Sequence, residues 1–179
     1  LMAAITSKAI QGLSTDVLKT LEPFQIAALS PSAVAGLTTM QVDALTVRQL
    51  GSISAAQASV LNSEQLGVLG ADGIAALKNT AIGAFSTKAI SGLSTEAIAS
   101  MTTAQVAALS TNSFSKLTTG QISALTPTQV AALSTAQVKA LASTQVAALA
   151  SDRIAALTTS QVAALTTKAL GGLDAGQIS

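Results

Sequence analysis

The chain has 179 residues, enough to bury a sizeable core as one domain, but only 9% of them are charged, against roughly a quarter in ordinary soluble domains. Nine basic and eight acidic residues, scattered singly, leave a net charge of +1, so no basic patch exists to neutralise phosphates and nucleic acid is not expected as a partner. The absence of Cys excludes disulfides, thiolate metal sites and thiol nucleophiles. It fits a reduced cytosol and a secreted bacterial repeat protein equally well.

The opening Leu1-Met2-Ala3-Ala4-Ile5 has neither a charged n-region nor a cleavage pattern, so no signal peptide is expected. From Ile5 a large apolar residue recurs every eight positions: Leu13, Leu21, Leu29, Leu37, Leu45, Ile53, Leu61, Leu69, Leu77, Phe85, Leu93, Met101, Leu109, then through Leu125 and Leu133 to Leu173. A second series lies five residues later in each unit: Ile10, Leu18, Ile26, Val34, Val42, Leu50, then through Val106, Val130 and Val138 to Val162, Leu170 and Ile178. Ala58 is its one small member. No unit is inserted or deleted, so residues 1–179 read as one tandem array of about 22 octads, starting and stopping within a repeat. The consensus is Leu-Ser/Thr-Thr-x-Gln-Val-Ala-Ala, and its eight places are numbered 1 to 8 below. Met2 and Met101 fill apolar places, whereas Met40 lies in the variable place 4.

The phase of the consensus identifies each unit as a short helix. In Leu37-Thr38-Thr39-Met40-Gln41-Val42, Thr38 is a good helix N-cap and Gln41 can reach back to it, completing a capping box. Leu37 before the cap and Val42 four residues after it form a hydrophobic-staple pair. Ser or Thr holds place 2 in 15 of 22 octads, including Thr38, Ser110, Thr126, Ser134 and Thr158, with Asn62 and Asp174 as further capable caps. Gln holds place 5 in 12 of 22. All three prolines, Pro23, Pro31 and Pro127, fall at place 3, the first helical position, where the missing N–H costs nothing. Inside one continuous helix each would cost about 3 kcal/mol.

The alternatives fail on geometry. In one long helix an eight-residue repeat drifts about 80° per unit, so the Leu stripe would wind around the helix. In a strand, spacings of five and three would send Leu and Val to opposite faces. The expected fold is therefore all-α: a solenoid, or superhelical spiral, of capped helices of about five or six residues, one per octad. Helices this short persist only when stacked around a shared core. The expected core includes Leu29, Leu37, Leu45, Leu109, Leu125, Leu133, Val42, Val106, Val130 and Val138. Small residues at places 7 and 8, such as Ala27-Ala28, Ala35-Gly36 and Ala107-Ala108, would let neighbouring helices approach. Place 4 holds nine of the 17 charges and should face solvent. The number of octads per turn is not readable: Gly12, Gly36, Gly92 and Gly172 show no 16- or 24-residue overtone. Departures concentrate at residues 51–84, where Gly51, Gly67, Gly70 and Gly73 enter and Lys78-Asn79 replaces the usual Ser/Thr pair. Repeat drift explains them, and a bend or binding spot is the alternative.

A mean hydropathy of +0.57 does not make this a membrane protein, because polar residues return within every octad and a spanning helix needs about 20 nearly uninterrupted apolar residues. Without His, Cys or Tyr, only Ser, Thr, Lys and carboxylates could act chemically. The hydroxyls are accounted for as caps, and Asp72, Glu96 and Asp152 are isolated, with no paired spacing for acid–base work or metal ligation. Gly70-Ala71-Asp72-Gly73 has one acidic residue, too few for a calcium loop. No catalytic residue, cofactor or metal site is expected, and the chain is not expected to be an enzyme.

Three non-enzymatic readings remain: a structural spacer or filament subunit; a ligand-binding or adhesive solenoid; and an ice-binding or glycan-bearing Thr array. The last draws on the pairs Thr38-Thr39, Thr102-Thr103, Thr118-Thr119, Thr158-Thr159 and Thr166-Thr167. The runs Gln129–Val138 and Leu157–Thr167 resemble the Leu-Thr-Thr-x-Gln-Val-Ala-Ala octapeptide arrays of very large bacterial secreted or surface proteins, which are adhesin-like. That resemblance covers essentially the whole chain. It implies an extracellular or cell-surface location and a structural or adhesive role. The expected partner is the chain itself, end to end or laterally, with other cell-surface components as further partners and no membrane insertion.

Overall fold

The computed structural model describes residues 5–177; Leu1 to Ala4 at the start, including Met2, and Ile178 and Ser179 at the end lie outside the described residues. Among the described residues the chain is all-helical and carries no strand. Twenty α-helices of four to six residues, from Ser7–Gln11 to Thr167–Leu170, follow one per octad. In the octad of residues 85–92 a 3₁₀ turn at Ile90–Gly92 stands where its neighbours have an α-helix.

Seventeen of the 22 octads start in the same way, the exceptions carrying Glu22, Gly70, Lys78, Ala142 or Ala150 at place 2. Place 2 is extended, as at Thr38 (φ −71°, ψ 161°), and its side-chain oxygen accepts from the place-5 N–H. All 17 Ser, Thr, Asn or Asp residues at place 2 make this bond, Ser110, Thr126, Ser134 and Thr158 among them. Pro23, Pro31 and Pro127 each occupy the first helical position. No described residue has a positive φ, so the corners are made by the extended backbone at places 1 and 2.

The helices pack with a period that the sequence does not announce. Each substantial contact joins helices three octads apart: Ser7–Gln11 with Pro31–Ala35, Thr15–Thr20 with Thr39–Asp43, Thr135–Lys139 with Thr159–Ala164. Three octads, 24 residues, thus complete one coil, and the molecule is a three-sided solenoid with three columns of stacked helices. The core fills its axis. Leu29, Leu37, Leu45, Leu109, Leu125, Leu133, Val42, Val106, Val130 and Val138 are all buried, none more than 7% exposed. They belong to one continuous apolar cluster that runs from coil to coil. Residues shielded on one side only are less buried. Val162 and Leu170 share place 6 with the core but are 49% and 42% exposed, because no described coil packs beyond them. Leu13, Leu21, Leu157, Leu165 and Leu173 are half-buried for the same reason. All nine charged residues at place 4 face solvent, as do Phe24 and Met40, which occupy the same place.

Candidate functional site

The feature that organises the molecule is a row of buried glutamines. Place 5 is the third helical residue, and the capping box explains half of its chemistry. In all 12 cases the Gln Oε1 accepts from the place-2 N–H of its own octad, at 2.7–3.0 Å. The other half of the carboxamide reaches across to the preceding coil. Gln41 Nε2 donates to the carbonyls of Ile10 and Leu13, both at 2.8 Å. Gln121 does the same to Ile90 (3.0 Å) and Leu93 (2.7 Å), and Gln137 to Val106 (2.9 Å) and Leu109 (3.0 Å).

The pattern is general. Gln41, Gln49, Gln57, Gln65, Gln105, Gln121, Gln129, Gln137, Gln145 and Gln161 all donate to the place-1 carbonyl 28 residues back, at 2.6–3.0 Å. Gln177 makes the same bond to Leu149. Most also reach the place-6 carbonyl 31 residues back. The place-1 acceptors lie between one helix and the next, and the place-6 acceptors lie near a helix end, where each also takes the following place-1 N–H. One side chain therefore caps the start of its own helix and the end of a helix one coil earlier. The bridging glutamines are buried, 9% exposed or less. Gln25, in the first coil, makes only the local bond and is half-buried.

Two octads make the coil-to-coil bond with a different residue. Ser113 Oγ donates to Phe85 O at 2.7 Å, and Arg153 Nε donates to Leu125 O at 2.9 Å, each 28 residues back. A third arrangement removes the bond altogether. Where place 5 is Ala33, Ala89 or Ala169, place 8 of the same octad is Gly36, Gly92 or Gly172. A Cβ on Gly92 would fall 2.0 Å from Ser63 O, one on Gly172 2.0 Å from Ser143 O, and one on Gly36 2.6 Å from Ser7 O. In these three octads the backbones touch and only glycine fits at place 8, whereas Ala81 and Ala97 share their octads with Ala84 and Ser100. These glycines obey no period along the chain.

The outer surface carries little chemistry. The place-4 charges are scattered and solvated, and Asp152 pairs with its neighbour Arg153 at 3.0 Å. Glu96 is exposed. Its carboxyl is held below the ordinary carboxylate value by its own backbone N–H and then by the Ser94 and Thr95 hydroxyls. Among the described residues no three acidic side chains converge to hold a metal ion, and no helix is long and apolar enough to cross a membrane. The paired threonines do not form one lattice. With a 24-residue coil, Thr38, Thr102 and Thr118 fall on three different columns, and the pairs that share a column are two or five coils apart.

Sequence reasoning placed the caps and the core but missed the second role of Gln. A signal for it existed: Glu would serve the capping box equally well, yet no octad has Glu at place 5. A position that takes Gln and never Glu is one where a carboxylate is excluded by burial.

Residues 18–55, 80–111 and 114–151, together more than half of the chain, match the family model described as the ALTTAQ repeat. Among curated proteins no match is found.

Proposed function

Because the chain belongs to the ALTTAQ repeat family, we propose that its work is mechanical: a rod that supplies length and stiffness, as a filament, stalk or surface-layer element outside a bacterial cell, without catalysis or a resident cofactor. The observation that carries this reading is the Gln bridge made by eleven octads, which joins one coil to the next by the same bonds wherever it occurs. An interface that is its own complement extends by repetition, so length is set by the number of octads. The small, singly charged outer residues support the reading too, since they offer few of the aromatic and arginine anchors on which binding surfaces depend.

Electron microscopy of the purified chain over a range of concentrations tests the proposal. Rods that lengthen with concentration while keeping a constant width support self-stacking. Chains that stay as single short rods at every concentration would overturn self-stacking and leave a stalk segment or a binding solenoid.

A further inference from the structure

The octad of residues 69–76 departs from the consensus at two linked places. Gly70 replaces the hydroxyl cap and Gly73 replaces the glutamine. A Gln at this point would pair with carbonyls 31, 30 and 28 residues back, which for Gly73 are Val42, Asp43 and Leu45. All three residues line a cavity of about 290 Å³ whose facing wall includes Gly70 and Gly73. The Val42 carbonyl accepts from the Leu45 N–H at 3.2 Å. Among the described residues no side chain is seen donating to any of the three, in contrast to the Ser and Arg replacements elsewhere.

Place 8 of this octad is Ala76, whose own Cβ excludes the backbone contact that Gly36, Gly92 and Gly172 allow. The nearest atom to a Cβ on Gly73 would be Leu50 Cδ1 at 3.1 Å, followed by atoms of Leu69. Those are side chains, not the backbone of the other coil. The cavity lies on the side of Gly73 that a glutamine side chain would fill.

We propose that this cavity binds an aliphatic primary carboxamide, in the place that eleven glutamine side chains take in the other octads. The ligand's NH₂ donates to the Val42, Asp43 and Leu45 carbonyls, as Gln57, Gln65, Gln105, Gln129 and Gln161 do to their own triplets. Its oxygen accepts from the Gly70 N–H, and its alkyl part lies on Leu50 and Leu69. The acceptor set decides the class. A carboxylate has no donor for three carbonyls and sets its charge against them, and an alkylammonium has no acceptor for Gly70. The site is separate from the mechanical reading and would stand if that reading fell.

Propionamide, a glutamine side chain from Cβ onward, is the probe. Titrated into the ¹⁵N-labelled chain, it should give saturable amide shifts at Val42, Asp43, Leu45, Gly70 and Gly73, with a Kd on the order of 10 mM for so few atoms. Propionate at the same concentrations should give none there. Gly73→Gln should abolish the propionamide shifts by filling the site from within, and should raise Tm. Should Gly73→Gln fail to fold, Gly73→Ala, which adds no carboxamide, should still bind propionamide. Equal responses to propionamide and propionate, shifts spread over all octads, or shifts that persist in folded Gly73→Gln would each overturn the proposal.

Discussion

Replacing Gln121 by Ala measures what one bridge contributes. Gln121 is 2% exposed and makes three bonds: from the Thr118 N–H at 2.8 Å, to Ile90 O at 3.0 Å and to Leu93 O at 2.7 Å. Ala removes all three and leaves the backbone partners in place between two coils. At about 1 kcal/mol net per bond, with a further cost for leaving buried groups unpaired, Gln121→Ala should destabilise by about 3–4 kcal/mol. Gln25→Ala loses only the local bond to Glu22 N–H at a half-buried position and should cost about 1 kcal/mol. Gln121→Glu sharpens the test. It keeps the acceptor but aims a carboxylate at two carbonyls, so its folded-state pKa should rise. A raised carboxyl pKa makes the variant relatively most stable below the unfolded value, with the penalty growing as pH rises through the folded value. The chain has no Trp or Tyr, so urea unfolding is followed by circular dichroism at 222 nm. Equal destabilisation by Gln121→Ala and Gln25→Ala would refute the coil-to-coil role.

Other substitutions follow from the same geometry. Gly92→Ala places a Cβ 2.0 Å from Ser63 O and should cost about 3 kcal/mol or more, whereas Gly120→Ala, whose Cβ meets only Thr118 Oγ1 at 3.9 Å, should stabilise by about 0.5–1 kcal/mol; thermal melts of the two compare them directly. Leu109→Asp and Val130→Asp each bury an unpaired charge and should unfold the surrounding coils, while Asp152→Ala loses one exposed ion pair and should change stability by less than about 1 kcal/mol. Equal tolerance of all three in urea titrations would contradict the buried core. Stability should be nearly flat from about pH 5 to pH 9, since there is no His and no charged side chain is buried among the described residues. Glu96, with its lowered pKa, adds stability above its ordinary value near 4.5 that is lost as pH falls through the lower folded value. A transition near neutrality in pH-scanned melts would refute this.

What could be read from the sequence was local. Capping at Thr38, Ser110 and Thr158 and proline at place 3 involve groups within four residues of one another, and the consensus displays both partners together. The alternation of Leu and Val defined the core because every coil uses the same places. The count of three octads per coil stayed hidden because all three columns carry one consensus, so no 24-residue overtone exists to be seen. The second half of the glutamine bridge was hidden because its acceptors are main-chain carbonyls, which leave no mark in the sequence. For the same reason Gly92 could not be understood alone. It becomes legible only beside the coil below, where Ser63 O would lie 2.0 Å from an added Cβ. Residues 69–76 were marked as irregular by Gly70 and Gly73, but that the irregularity opens a cavity depends on the coil below it.

The three-octad coil is most directly tested by pairwise spin-label distances between exposed place-4 residues. Ala104 lies on the helix Thr103–Ala108, which packs against Pro127–Ala131, bearing Thr128. Labels at Ala104 and Thr128, 24 residues apart, should lie closer together than labels at Ala104 and Gly120, 16 apart, or at Ala104 and Ala136, 32 apart. A shorter distance for the 16- or 32-residue pair would contradict the coil and, with it, the glutamine bridge.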